Sequence, residues 1–197
     1  MPQIGQPTKD AIRAAVRASR AARMPDERLA DDRARMELVL AALDGVRPRV
    51  VAAYASAGAE PGTEELLDAL VARGATVLLP LLSPTAEGPR RAPDWAVYEG
   101  RSGLRSGLWD IPEPTSEPLG VAAIVQAELV IVPGIAGTLG GDRLGTGGGW
   151  YDRALAGTAS ERWLLLNGDE LYESLPLEAW DLPVSAIVTP TRVVRCL

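Results

Sequence analysis

The sequence predicts an α/β protein: a single domain with a mostly parallel, open sheet flanked by helices. Three observations carry that expectation. Strand-like apolar runs alternate with helical segments, as in Val50–Ser56, Thr63–Arg73 and Val77–Leu82, a β-α-β order that suits a parallel sheet. The apolar run Leu129–Val132 leads into a stretch holding Gly140, Gly141, Gly145, Gly147, Gly148 and Gly149, and a helix follows from Trp150 to Ala156. The chain has 197 residues, 47% of them hydrophobic, enough for one domain with a sizeable core.

Taken in order, Thr8 is a plausible N-cap for a helix over Lys9–Arg23. Ile12, Ala15, Val16 and Ala22 give it an apolar line, and Lys9, Arg13, Arg17 and Arg20 fall on one face. Like charges at this spacing cost about 0.2–0.5 kcal/mol per pair, and Asp10 is the one local offset. Either that face is solvated or an anion sits beside it. Pro25 opens a second helix, Asp26–Leu43, with Leu29, Met36, Leu40 and Leu43 as its core stripe. These N-terminal helices, residues 1–44, are expected to pack on an α/β core over 48–197. Glu60 follows the first strand, at the end where ligands of open α/β sheets collect, although a lone loop carboxylate usually reads as a solvated turn residue.

Ser83–Pro93 reads as a loop and Trp95–Tyr98 as a short strand. Prolines 112, 114 and 118 mark an irregular connection, beside which Trp109 reads as a packing aromatic. Val121–Ala127 is a short helix or turn. Trp163–Leu166 is a strand, Asp169–Ser174 a short helix, and Val184–Val188 and Val193–Arg195 complete the sheet. Asp181, before Leu182-Pro183, reads as a turn residue.

Composition narrows the chemistry. A net charge of −6 argues against a general nucleic-acid binder. No histidine is present, which removes histidine triads and histidine metal sites. Cys196 is the lone cysteine, so no internal disulfide can form; a reducing compartment, the cytoplasm, is expected. The N-terminus lacks an apolar signal core, and Gln126 and Glu128 interrupt the most apolar window, so no membrane span is expected. A monomer is expected. Of the 20 basic residues only Lys9 is lysine, which marks it as a possible compact point charge or as a chance feature of the terminus.

The glycine stretch is the main chemical signal. Glycines allow a ligand to approach the main chain closely, and unpaired amides before a helix favour anions, above all phosphate. Arg143 adds a planar cationic fork. Asp152, in the first helical turn, could help hold magnesium on phosphates or merely complement the helix dipole. The pattern is G-x-G-x-G. It lacks the G-K-[ST] ending of the P-loop and the G-x-G-x-x-G of dinucleotide folds.

The run P-G-I-A…G-D-R-L-G-T-G-G-G-W-Y-D-R-A-L closely resembles the signature of the 5-formyltetrahydrofolate cyclo-ligases (5,10-methenyltetrahydrofolate synthetases), with the core R-L-G-x-G-x-G-x-Y-D at Arg143–Asp152. That resemblance implies a three-layer, CoA-transferase-like fold and ATP- and magnesium-dependent cyclisation of 5-formyltetrahydrofolate, a small-molecule reaction without nucleic-acid or membrane partners. It implies Lys9 and Arg13 as the K-x-x-x-R opening of the ATP site, with Lys9 and Arg143 acting on the reacting phosphate. Leu144, Gly145, Thr146, Gly147, Gly148, Gly149, Trp150 and Tyr151 would complete the nucleotide side. For the folate it implies Ala55, Glu60 (in E-P-G-T-E-E), Trp109 (ahead of I-P-E-P), Trp150 and the loop residues Thr146 to Gly149. For magnesium it implies Asp152 and Asp181, the latter in L-P-x-x-x-x-D. The chain departs from the usual pattern at Gly137 and Thr138, where F-D is common, and at Trp150, where tyrosine is common. A non-catalytic folate- or nucleotide-binding relative, and a small-molecule isomerase or transferase of similar fold, remain open on sequence grounds.

Overall fold

The computed structural model describes residues 7–178 and 181–196. A seven-stranded sheet forms its centre. Its strands are β1 (Val50–Ala52), β2 (Thr76–Leu81), β3 (Asp94–Val97), β6 (Leu129–Val132), β9 (Glu161–Leu165), β11 (Ala186–Val188) and β12 (Val193–Arg195), in the order β12-β11-β9-β6-β1-β2-β3. The five inner strands run parallel, and the edge strands β3 and β12 are antiparallel. The inner strands are nearly continuous apolar runs because both faces are covered. Two small sheets flank this one: a hairpin of β4 (Leu104–Ser106) and β5 (Pro112–Pro114), and a group of β7 (Ala136–Thr138), β8 (Arg143–Leu144) and β10 (Leu171–Tyr172).

Helices α2 (Pro25–Ala42) and α3 (Glu64–Ala72) cover one face of the large sheet, where Val39, Leu66, Leu67 and Leu70 meet Val51, Leu79, Ile131 and Trp163. The other face packs under α4 (Trp150–Leu155) and the 3-10 turn Val121–Gln126, through Ala154, Leu155, Ala123 and Ile124. The fold expected from the sequence is therefore present in three layers. Helix α1 (Lys9–Ala22) sits apart and packs on the small β7 sheet. Ile12 and Val16, four residues apart, bury against Ile135, Ala136, Leu144 and Leu175. Each such side chain contributes about 1.5–3 kcal/mol when fully buried, and the contact decides which way the rest of α1 faces. Thr8 caps it, accepting from the Ala11 amide at 3.2 Å.

Several local expectations are corrected. Of the expected α2 stripe, Leu43 is buried and Met36 and Leu40 pack against the core, but Leu29 is 45% exposed, and the inner face also takes Val39 and Arg35, whose Nη1 donates to Asn167 Oδ1 at 2.8 Å. The first strand ends at Ala52 rather than Ser56, since the chain leaves the sheet there to build the cavity wall. Asp169–Ser174 is not a helix: a 3-10 turn over Gly168–Glu170 runs into β10, with Asn167 and Glu170 reciprocally bonded. The proline-rich stretch after Trp109 includes strand β5, an edge position where proline's missing donor does no harm. Between β6 and the glycine loop lies the β7–β8 hairpin, closed by Thr138 Oγ1 donating to Asp142 Oδ2 at 2.9 Å and accepting from the Asp142 amide at 3.2 Å. The departure at Thr138 thus has its own turn-closing bonds.

Candidate active site

Strands β1, β2 and β6 end at one cavity of about 570 Å³. Around it stand Lys9, Arg13 and Arg17 of α1, Ala55 and Glu60 beyond β1, Leu82 beyond β2, and Trp109 of the hairpin tip. Arg143, Leu144, Gly145, Thr146, Gly147, Gly148, Gly149, Trp150, Tyr151, Asp152 and Asp181 complete it. Every site residue expected from the sequence therefore lines one space. The cationic face of α1 divides: Lys9, Arg13 and Arg17 reach the cavity, whereas Arg20 is buried in a pair with Glu170 (Nε–Oε1 2.7 Å) and also donates to the Gly134 carbonyl at 2.8 Å. Arg20 thus ties α1 to the loop leaving β6.

The glycine loop has an uneven hydrogen-bond inventory. Three of its carbonyls take arginine donors: Arg13 Nε donates to Gly145 at 3.1 Å, Arg17 Nη2 to Thr146 at 3.1 Å and Arg153 Nη2 to Gly148 at 3.0 Å. The five amides from Gly145 to Gly149 donate to no acceptor among the described residues. Gly147 and Gly149 have φ of +112° and +62°, values that L side chains rarely adopt, so the sequence folds here only because these residues are glycine. A row of free amides beside three cations is a nest for negatively charged oxygen.

The acidic groups are paired. Arg143, 5% exposed, forms an ion pair with Asp152 Oδ1 and donates to the Pro133 carbonyl at 3.4 Å. Lys9 Nζ meets Asp181 Oδ2 at 2.8 Å, joining segments far apart in sequence. Burial works against ionisation of Asp181, but the Lys9 hydrogen bond, the Glu178 amide, and the charges of Lys9 and Arg143 together hold its carboxyl below the ordinary range. Each carboxylate keeps one oxygen, Asp152 Oδ2 and Asp181 Oδ1, without a hydrogen bond among the described residues. No group of three or more acidic, histidine or cysteine side chains able to hold a metal by itself occurs among the described residues.

On the opposite wall Glu60 Oε2 accepts from the Ala57 amide at 3.1 Å. Burial raises its pKa, with the Ala57 bond and the Arg20 charge acting the other way. Tyr151 donates to the Ala53 carbonyl at 3.2 Å and meets Trp95 edge-on at 6.3 Å, fastening α4 to the end of β1. Burial, then the Glu60 charge, raise its pKa so far that it remains a donor. Trp109 is 66% exposed with φ of +57°, followed by Asp110 at +59°. Such a conformation costs on the order of 1–3 kcal/mol for a bulky residue. Sequence reasoning missed Arg153, the Arg20–Glu170 pair and the buried Arg35, which donates to Asn167 Oδ1 at 2.8 Å. The arginine period on α1 was the one available signal for the first pair.

Fold and site together define an α/β protein with a cationic glycine-loop cavity at the carboxyl end of its parallel strands. Residues 5–190 match the sequence model of the 5-formyltetrahydrofolate cyclo-ligase family. The chain is 34% identical to the 5-formyltetrahydrofolate cyclo-ligase of Mycolicibacterium smegmatis, over 76% of this chain and 77% of that one. It is 32% identical to the protein of that name in Escherichia coli, over 75% and 81%. The solved structure of Aquifex aeolicus 5,10-methenyltetrahydrofolate synthetase superposes with a TM-score of 0.74 at 28% identity, covering 95% of this chain and 92% of that one. The chain belongs to the 5-formyltetrahydrofolate cyclo-ligase family.

Proposed function

We propose that the protein cyclises 5-formyltetrahydrofolate to 5,10-methenyltetrahydrofolate, consuming ATP with magnesium and releasing ADP and phosphate. One observation carries the reading: five consecutive amides, Gly145 to Gly149, have no acceptor among the described residues, and these residues line a cavity that also takes Lys9, Arg13 and Arg143. Donors of both kinds, main-chain amides and cationic side chains, support a triphosphate as the ligand. The chemistry asks little else of the protein. A formamide oxygen is a poor leaving group; transfer of the γ-phosphoryl group onto it turns it into a good one. The neighbouring folate nitrogen then attacks the formyl carbon and loses its proton, the C–O bond breaks, and the oxygen departs within phosphate.

No protein nucleophile is needed, which suits a chain without histidine. The residues would position the reactants and stabilise charge. Lys9, Arg13 and Arg143 would bind phosphate oxygens, with Lys9 and Arg143 on the transferring group. Glu60, Ala55, Trp109 and Trp150 would receive the folate. The free oxygens of Asp152 and Asp181 suit magnesium, a hard ion usually held by one or two carboxylates plus phosphate and water; such an ion, when bound, would offset phosphate charge. Tyr151 would hold the wall through Ala53. No helix among the described residues is long and apolar enough to cross a membrane, and we place the enzyme in the cytoplasm as a monomer.

The test mixes protein, ATP, magnesium and 5-formyltetrahydrofolate and follows the near-ultraviolet band of the methenyl product. Stoichiometric ADP and product support the reaction. Thermal stabilisation by both ligands without product would identify a binding protein, and the absence of both responses would overturn the folate role.

A further inference from the structure

Glu113, in β5, is fully buried, and its ion pair with Arg105 is long. Its Oε1 accepts from the amides of Leu82 and Ser83, both at 2.7 Å, where the chain leaves β2. Its Oε2 is buried without a hydrogen bond among the described residues, and Arg105 Nη2 is 3.9 Å away on an exposed side chain. Burying a carboxylate with one oxygen unbonded is costly, so the arrangement needs a reason beyond closing a hairpin. The hairpin supplies one. Strands β4 and β5 pair Ser106 with Pro112, and between them the turn Leu108–Asp110 carries Trp109 to the cavity in a backbone conformation strained at two successive residues. Such strain persists only where the surroundings over-determine it. Within the turn, Gly107 donates to the Ile111 carbonyl at 2.9 Å and Ser106 Oγ to Asp110 Oδ1 at 2.9 Å. These bonds shape the tip but do not fix it to the body of the protein. Glu113 does, because Leu82 itself lines the cavity. Gly107 fits only because it has no side chain: a Cβ there would fall inside contact distance of the Glu113 side chain.

We propose that Glu113 is a positioning residue for the folate side of the cavity: its carboxylate fastens the β4–β5 hairpin to the end of β2 and so holds Trp109 against the substrate. The substrate part rests on the proposed function, because Trp109 is there assigned to the folate.

The experiment compares Glu113→Ala, Glu113→Gln and Gly107→Ala with the parent. It measures KM separately for 5-formyltetrahydrofolate and for ATP, and hydrogen exchange over residues 104–114 in the ligand-free protein. Glu113→Ala should raise the folate KM about tenfold, with the ATP KM within about twofold and faster exchange confined to the hairpin. Glutamine retains a carbonyl oxygen for the two amides and should restore the folate KM to within about threefold. Gly107→Ala keeps the charge but drives its methyl onto Glu113, and should resemble Glu113→Ala. Equal rises in both KM values, a glutamine variant no better than alanine, or unchanged hairpin exchange would each overturn the role. If Glu113→Ala does not fold, the glutamine and Gly107 variants decide by the same readouts. If the parent makes no methenyl product, the proposed reaction fails by itself, and hairpin exchange still decides whether Glu113 is the anchor.

Discussion

The two walls of the cavity are built on different principles. One wall is α1 and the glycine loop: cations on successive turns of a helix facing a run of bare main chain, with loop carbonyls drawn toward arginines. The other is the ends of β1 and β2 with the β4–β5 hairpin, where the polar groups are few and held by amides, half-buried at Glu60 and fully buried at Glu113. The first wall suits a highly charged ligand, whose binding depends on many donors of modest individual worth. The second suits a largely apolar ring system that needs a small number of fixed polar contacts. Under the proposed reaction, substitutions on the first wall should act on ATP and turnover, and those on the second on folate binding.

The largest break in that division should come from Asp152→Asn. The exchange leaves Arg143 beside a neutral amide and removes the anionic oxygen proposed for magnesium. Turnover should fall by roughly 10²–10³-fold, the range seen when a transition-state charge contact is lost. Folate binding measured without ATP should stay within about twofold of the parent. A variant with wild-type kcat would remove Asp152 from the reaction.

Lys9→Ala comes next. It takes away a proposed phosphate contact and the partner of Asp181, so the ATP KM should rise about tenfold or more while the folate KM holds. It also has a pH signature. Asp181 has a depressed carboxyl pKa in the fold, so its contribution to stability is present above the ordinary carboxylate value and is lost as pH falls through the folded one. Without Lys9 that depression shrinks, and acid unfolding should begin at a higher pH. Equal acid midpoints for parent and variant would show the pair to be energetically idle.

Glu60→Gln probes the second wall and should separate stability from function. The Glu60 pKa is raised by burial, so the native state holds that proton more tightly than the unfolded chain. Its contribution therefore favours the fold at low pH and declines as pH rises from the ordinary carboxylate value through the raised one. Glutamine removes the titration: the slope of stability in that window should flatten and Tm at neutral pH should be unchanged or higher. The folate KM should nonetheless rise several-fold, on the order of 1–2 kcal/mol for a lost charged contact. A fall in Tm with unaltered folate affinity would make Glu60 purely structural.

The same contrast sets what the sequence could disclose. The charged wall was legible because its residues are neighbours in the chain or on one helix face: Arg143 to Asp152 form a contiguous block, and Lys9, Arg13 and Arg17 share a period. The second wall is assembled only when β1, β2 and the hairpin meet, so Glu60 and Trp109 came from family resemblance and looked ordinary by themselves. Glu113 lay hidden in a proline-rich stretch that seemed irregular, since nothing local signals that a carboxylate will be buried on the amides of Leu82 and Ser83. Among fold elements, Leu129–Val132 was legible to the residue because it is apolar on both faces. The stripe on α2 held at Met36, Leu40 and Leu43 but not at Leu29, and helical periodicity of apolar residues cannot anticipate Arg35 entering the interior through Asn167 and the Leu166 carbonyl.

The smallest effects should come from Arg17 and Arg153, and they bear on how the first wall is organised. Both hold loop carbonyls, at Thr146 and Gly148, so either could be an interchangeable fastener. Their second contacts differ. Arg153 lies over the Trp150 ring at 5.1 Å, a cation–π contact worth about 0.5–1 kcal/mol at an exposed position, and Trp150 stands where the loop meets α4. Arg17 lies over no aromatic ring among the described residues and reaches the cavity beside Arg13. Arg153→Ala should therefore loosen Trp150 and raise both substrate KM values by about two- to fivefold, the equivalent of that contact. Arg17→Ala should raise the ATP KM alone, by a similar factor, and make it less dependent on salt because an exposed charge is removed from the anion's approach. Steady-state kinetics at two ionic strengths distinguishes them. Identical profiles for the two variants would mean that the arginines act only by tethering the loop, and that Trp150 adds nothing to either ligand.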